Sequence, residues 1–203
     1  MTEQAQAQTF WEENNLPAPG TAMDAAAFDA LSETTTRIEL INGVVFYPNF
    51  DEETMSPGPR SVHQRSLLRL VKCIETAQPE GDLLTSPMDV WLNPETRVQP
   101  DIFWIAPDGK CTDHDAYFSG PPDLIVEVLS PSTARHDKTT KFLLYEQHGV
   151  REYWIVNADR AQVEVWVLRE GVYALVGTFG AGESFVSPVL GEKTVELTGV
   201  FKD

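Results

Sequence analysis

The stretch that decides the fold is Leu124-Ile125-Val126-Glu127-Val128-Leu129, entered through Gly120-Pro121-Pro122-Asp123 and left through Ser130-Pro131-Ser132-Thr133. Successive side chains of a strand point to opposite faces, so a run that is apolar at nearly every position belongs to a central strand covered on both sides. Glu127 is the one exception. An ionised carboxylate in such a strand costs several kcal/mol unless it is paired or bound to a metal. Two readings stay open at this point: Glu127 faces a basic side chain or solvent at a strand end, or it belongs to a site.

Downstream, Ser130, Ser132 and Thr133 offer hydroxyl caps, and helical spacing through Phe142 and Tyr145 runs to His148, where Gly149 stands at the C′ position. Strands are expected at Glu152–Val156, Gln162–Leu168 and Val172–Val176, with short extended pieces at Ser184–Val186 and Thr194–Leu197. The glycine-rich segment Gly177 to Gly182 precedes no helix and reads as a turn.

Upstream, Ala25, Phe28 and Leu31 suggest a short helix capped by Asp24. Asn42-Gly43 between Arg37–Ile41 and Val44–Tyr47 is a two-residue hairpin signal, because a type I′ turn needs positive φ at both central positions. Residues 48–60 read as a loop. From Ser61 to Ala77, Val62, Leu67, Leu68, Leu70, Val71 and Ile74 form the buried stripe of a helix. Strand-like pieces follow at Leu83–Thr85, Val90–Leu92 and Ile102–Ile105. The pattern is α/β or α+β, a mixed sheet with at least two helices packed on it. Residues 1–22, polar and ending near Pro17-Ala18-Pro19-Gly20, read as a flexible arm, and 23–203 as one domain.

The 203 residues carry 31 Asp plus Glu against 15 Lys plus Arg, a net charge of −16. Such acidity excludes a general nucleic-acid coating role but not an enzyme that meets nucleic acid through a local patch. A hydrophobic share of 42 % is too high for disorder. Cys73 and Cys111 make no disulfide framework or zinc spacing. No basic-then-apolar leader opens the sequence and no run approaches the roughly 18 apolar residues of a membrane span, so a cytoplasmic protein without a membrane partner is expected.

Asp101 follows Pro100 at the start of Ile102-Phe103-Trp104-Ile105, and Glu39 lies in the first hairpin strand. Taken singly, Asp101 is a turn or cap residue and Glu39 a solvated one. Lys138 and Lys141, with Arg135 and His136 a turn earlier, lie on the helix after the Glu127 strand. They are either a solvated face or cations swung back over the end of that strand. In the second case Asp101, Glu127 and one lysine would make an oxygen-ligand site suited to magnesium. Arg65, Arg69 and Lys72, with Arg60 just before, share a helix face with no acid between residues 60 and 72. That stripe could contact phosphate or simply be solvated. No GxxxxGK[ST], GxGxxG after a strand, GxSxG or HExxH is present, so no organic cofactor is expected.

Glu39-Leu40-Ile41-Asn42-Gly43, Pro100-Asp101, the Pro122-to-Thr133 segment, Asp137 with Lys141 and Tyr145, and Gly149-Val150 with Glu152-Tyr153-Trp154 together resemble the Uma-two family of restriction endonucleases, within the PD-(D/E)XK nuclease superfamily. The resemblance runs from about residue 23 to the C-terminus. It implies a restriction-endonuclease-like mixed β-sheet flanked by helices, with an N-terminal β-hairpin and C-terminal antiparallel strands. It also implies that Asp101 and Glu127 hold Mg2+ or Mn2+, that Glu39 completes the metal shell, and that DNA is hydrolysed by metal-activated water. The superfamily's lysine two residues beyond the second acid is replaced here by Leu129, and the family's helical lysine matches Lys141 rather than Lys138. Asn42 stands where the family has Asp, which suits the same turn. Arg60, Arg65, Arg69, Lys72, Arg135 and Lys138 are the candidate DNA contacts, and a homodimer is the expected assembly for cutting two strands. Two rivals remain: an interaction module with a vestigial site, and a metal-dependent phosphodiesterase for smaller substrates.

Overall fold

The computed structural model describes residues 11–31, 37–48, 50–51, 56–57, 61–78, 80–130 and 134–202. In chain order the elements begin with helix α1 (Ala25–Asp29), strands β1 (Glu39–Ile41), β2 (Val44–Phe46), β3 (Phe50–Asp51) and β4 (Ser56–Pro57), and helix α2 (Ser61–Ala77). Six strands follow: β5 (Asp82–Thr85), β6 (Asp89–Asn93), β7 (Thr96–Val98), β8 (Ile102–Ile105), β9 (Thr112–Asp113) and β10 (Tyr117–Ser119). The central strand β11 (Leu124–Val128) leads into α3 (Ala134–His136), a π-helical turn (Asp137–Lys141) and α4 (Phe142–His148). The chain ends in β12 (Glu152–Asn157), β13 (Gln162–Arg169), β14 (Val172–Gly180), β15 (Ser184–Ser187) and β16 (Lys193–Glu196).

Twelve of these strands make two six-stranded mixed sheets, ordered β2-β1-β7-β6-β10-β9 and β14-β13-β12-β11-β8-β5, while β3–β4 and β15–β16 are two-stranded pairs. In the second, β11 runs parallel to β12 and antiparallel to β8. Leu124, Val126 and Val128 face one way, against Leu67, Leu70 and Ile74 of α2 and Phe185 and Val195 of the β15–β16 hairpin. Ile125 faces the other way, with Phe103, Val98, Leu144, Tyr145 and Tyr153. Both faces are covered, which is why β11 shows no apolar/polar alternation. The three α2 anchors are almost fully buried, and each contributes about 1.5–3 kcal/mol of burial.

Local chemistry fixes the ends of the elements. Asp24 accepts the Ala27 N–H at 2.7 Å and so caps α1. Asn42 and Gly43 have φ of 50° and 74°, the positive values of a type I′ hairpin. Gly149, at φ 82°, ends α4 in the left-handed conformation.

Several expectations are revised. Residues 11–22 are not a loose arm: Trp11 is buried against Tyr47, the Tyr47 hydroxyl donates to the Pro17 carbonyl at 2.6 Å, and Gly20 and Thr21 bond to Val45. One buried indole and three backbone-directed bonds outweigh the polar composition. On α2 the stripe passes through His63 and Ser66, whereas Leu68 is 59 % exposed, because the helix turns it a position away from the 63, 67, 70, 74 line. Gly177 to Gly180 continue β14 against β13 instead of turning, since Gly177 and Thr178 pair with Val165 and Glu164; only Ala181-Gly182 turn. The loop between Ile105 and Gly120 contains β9 and β10, and β7 pairs with β1 and β6. The caps expected at Ser132 and Thr133, most of loop 48–60 and Arg60 lie outside the described residues.

Candidate active site

Three separate segments deliver the acids to one place. Val126 pairs with Ile102, so Asp101 lies beside Glu127 across the β8–β11 ladder, and its Oδ2 accepts the Val128 N–H at 2.8 Å. Glu39 comes from β1 of the other sheet, and its Oε1 accepts the Gln99 N–H at 3.0 Å. The cation comes from the helical segment after β11. The π-helical turn ends at Lys141, and the i, i+4 spacing places Asp137, Lys141 and Tyr145 along one inward stripe, all buried.

Lys141 Nζ donates to Glu127 Oε1 at 2.8 Å and Glu39 Oε1 at 3.0 Å, with Asp137 Oδ1 4.0 Å away. Tyr145 adds its hydroxyl to Glu127 Oε1 at 2.8 Å. A second cation, Arg37, reaches Asp101 Oδ1 at 2.9 Å, Glu39 Oε1 at 3.2 Å and Glu127 Oε2 at 3.8 Å. His63 Nε2 lies 3.2 Å from Asp101 Oδ2.

The two central acids are tuned in opposite directions. Burial would raise Asp101, but the His63 hydrogen bond, the Arg37 charge and the Val128 N–H together hold it well below the usual carboxylate range. For Glu127 burial prevails over Lys141 and Arg37, helped by the neighbouring charge of Asp101, and its carboxyl is pushed up. Lys141 is raised despite burial by Glu127 and Glu39, so it stays an ammonium.

Glu39, Asp101, Glu127 and Lys141 are therefore brought together. Lys138 is not: it is surface-exposed and paired with Glu164. Arg135 is exposed and makes no contact with the cluster among the bonds given by the described residues. The α2 stripe is divided, for Arg69 donates to the carbonyls of Val200 (3.3 Å) and Lys202, while Arg65 and Lys72 are exposed. Sequence reasoning missed Arg37 and His63. Arg37 had a signal, since it stands two residues before Glu39 and so shares its strand face. His63 had one too, at the same α2 spacing as Leu67 and Leu70.

The donor chemistry suits a hard divalent cation: three buried carboxylates, one of them (Glu39) with a buried Oε2 that has no hydrogen-bond partner. The arrangement is a different matter. Among the described residues no group of three or more His, Cys, Asp or Glu side chains is placed to hold a metal ion. Arg37 stands among them instead.

His136, one residue before the π-helical turn, stacks on Phe46 with centroids 3.5 Å apart. Burial, with the Lys141 charge, lowers its pKa from 6.5 to about 4. A folded value below the unfolded one means that protonation favours unfolding. The stability contributed by the neutral ring is present above pH 6.5 and lost as pH falls toward 4. An NMR titration should find the midpoint near 4, and His136→Phe should flatten this part of the stability profile. A midpoint at the ordinary histidine value would contradict the geometry.

A mixed sheet whose central strand carries Glu127 beside Asp101 at the start of the adjacent strand, with a helical lysine folded back on Glu127, defines a restriction-endonuclease-like fold. The profile of the Uma2 family, described as "Putative restriction endonuclease", matches residues 25–198, and the chain belongs to that family. A crystal structure described as "a putative nuclease belonging to DUF820" from Anabaena variabilis superposes with a TM-score of 0.67 over 88 % of this chain and 97 % of that one. At 18 % identity it speaks for the fold alone. The uncharacterized protein sll1609 of Synechocystis sp. is 31 % identical over 111 residues, 53 % of this chain; the match spans 63 % of that relative's length. Among the described residues no helix is long and apolar enough to cross a membrane.

Proposed function

We propose that the protein is a metal-dependent nuclease that hydrolyses DNA phosphodiester bonds. The observation that carries this reading is the convergence of Glu39, Asp101 and Glu127, from three separated segments, in one buried cluster where the enclosed ammonium of Lys141 donates to Glu39 and Glu127. Asp101 and Glu127 would hold Mg2+ or Mn2+, with Glu39 completing the shell. When bound, such an ion polarises phosphate and lowers the pKa of its water. The chain's own groups divide the remaining work. Asp101, held ionised, is a fixed charge, and Glu127 shares the Lys141 ammonium with Glu39. Lys141 is too firmly protonated to be the base and instead offsets negative charge developing on the phosphoryl group.

The net charge of −16 leaves affinity for DNA to local groups, of which Arg65, Lys72 and Arg135 are exposed. A two-fold homodimer would provide two cuts in a duplex, and a cytoplasmic location fits this role. A vestigial site on an interaction module is the reading that Arg37, seated among the acids, favours.

Calorimetry with Mg2+ and Mn2+ on wild type and on Asp101→Asn/Glu127→Gln, beside cleavage of supercoiled and single-stranded DNA at low salt, decides between them. Metal binding and cleavage are both expected in wild type and in neither case in the double variant. A wild type that binds no divalent ion at millimolar concentration leaves the interaction module standing, and cleavage of small phosphodiesters but not plasmid points to the smaller substrate.

A further inference from the structure

We infer that Arg37 is the resident counter-ion of the acid cluster and that a divalent cation enters only by exchange with its guanidinium. The inference rests on the metal-site reading above and adds how that site is kept closed. The Arg37 fork engages all three acids, at 2.9 Å to Asp101, 3.2 Å to Glu39 and 3.8 Å to Glu127. Each oxygen on such a fork sits outside the nitrogen it accepts from, so the three carboxylates are splayed around a planar ion several ångströms wide. Magnesium draws its oxygens to about 2.0–2.1 Å from a single point. The two arrangements exclude one another, and among the described residues no group of three or more His, Cys, Asp or Glu side chains is placed to hold a metal ion.

Two cations compensate the cluster, and the structure distinguishes them. Lys141 is wholly enclosed and held at normal distances by Glu127 and Glu39. Arg37 precedes β1, its side chain is 12 % exposed, one of its three contacts is long, and its Nε is buried without a hydrogen-bond partner. Glu39 Oε2 is likewise unsatisfied while Arg37 is in place. A guanidinium does not lose its proton in a protein, so Arg37 can yield the site only by moving. Arg37 is thus the exchangeable charge and Lys141 the fixed one. Metal-free protein keeps its buried acids paired, and metal affinity is lowered by the contacts that must first be broken.

The test reads metal affinity, not cleavage. Arg37→Met should bind Mn2+ about ten-fold or more tightly than wild type by calorimetry, the factor that one lost charge-assisted hydrogen bond represents. It should melt lower than wild type without metal and gain more in Tm on saturation. A merely structural Arg37 would lower Tm equally with and without metal and leave affinity unchanged; equal or weaker binding by the variant overturns the inference. Arginine-detected NMR on wild type needs no variant to fold: the Arg37 Nη signals should move toward those of free arginine as Mg2+ fills the site. Signals that stay put at saturation also overturn it. Should neither wild type nor Arg37→Met bind either ion, the metal-site reading falls and this inference with it; binding by both with equal affinity removes the inference alone.

Discussion

Lys141→Met is expected to lower the unfolding free energy by about 3–5 kcal/mol, the usual penalty for removing one partner of a buried ion pair. The side chain has no solvent exposure, and it bonds to Glu39, also fully enclosed, and to Glu127, 3 % exposed. Removing it leaves Arg37 alone against three carboxylates. Methionine fills the stem volume, so the loss isolates the charge and not a cavity. For Lys141 itself the sign is simple: its folded pKa lies above the unfolded 10.5, so its stabilising contribution is complete at neutral pH and fades only as pH rises past that value. Glu127 sets the pH dependence of the deficit. Lys141 is the largest influence lowering Glu127, so the variant's Glu127 carboxyl rises further above 4.5. An acid whose folded value is raised takes up its proton more readily in the folded chain, so the deficit should be largest at neutral pH and shrink as pH falls toward the unfolded value of 4.5. Urea unfolding with an unchanged m-value measures this. A loss below about 1 kcal/mol, typical of exposed pairs, would show that the pair is not enclosed.

Much of this was legible because the informative residues sit on periodic elements. Leu124 to Leu129 announces a doubly covered strand, and Asn42-Gly43 announces its hairpin through φ alone. The 61–77 helix follows from its stripe, although that stripe runs through His63 rather than Leu68. Glu127 was the visible conflict between local pattern and burial, and such conflicts gather at functional sites. What the sequence hid was tertiary. Nothing near Arg37 says that Asp101, 64 positions away, lies within 2.9 Å, because that contact depends on how β1 of one sheet meets β8 of the other. The π-helical turn was hidden too, since Asp137-Lys138-Thr139-Thr140-Lys141 has no composition that distinguishes it from an ordinary helix. The short strands β7, β9 and β10 are two or three residues long, too short for a period to show.

Glu127→Gln should abolish cleavage, by about 10²–10³-fold or more, while leaving stability within about 1 kcal/mol of wild type or above it. The two effects separate because the cluster holds more acid than cation. With Glu127 neutral, Glu39 and Asp101 face Arg37 and Lys141, two charges against two, and the amide oxygen can still accept from Lys141 and Tyr145. The folded-state pKa of Glu127 lies above its unfolded value of 4.5, so at neutral pH its ionisation favours the unfolded chain, and a neutral isostere removes that cost. Asp101→Asn should behave oppositely in stability. Its folded pKa lies below the unfolded 3.8, so its carboxylate stabilises the fold above that value and the contribution is lost as pH falls through the folded value. The asparagine must also turn one amide hydrogen-bearing group toward Arg37, His63 or the Val128 N–H. Two acids side by side, both needed for cleavage but of opposite sign in stability, are what a site selected for chemistry at the expense of stability should show. If both substitutions destabilise equally, the acids are structural ion-pair members, and the opposite tuning of Asp101 and Glu127 carries no catalytic meaning.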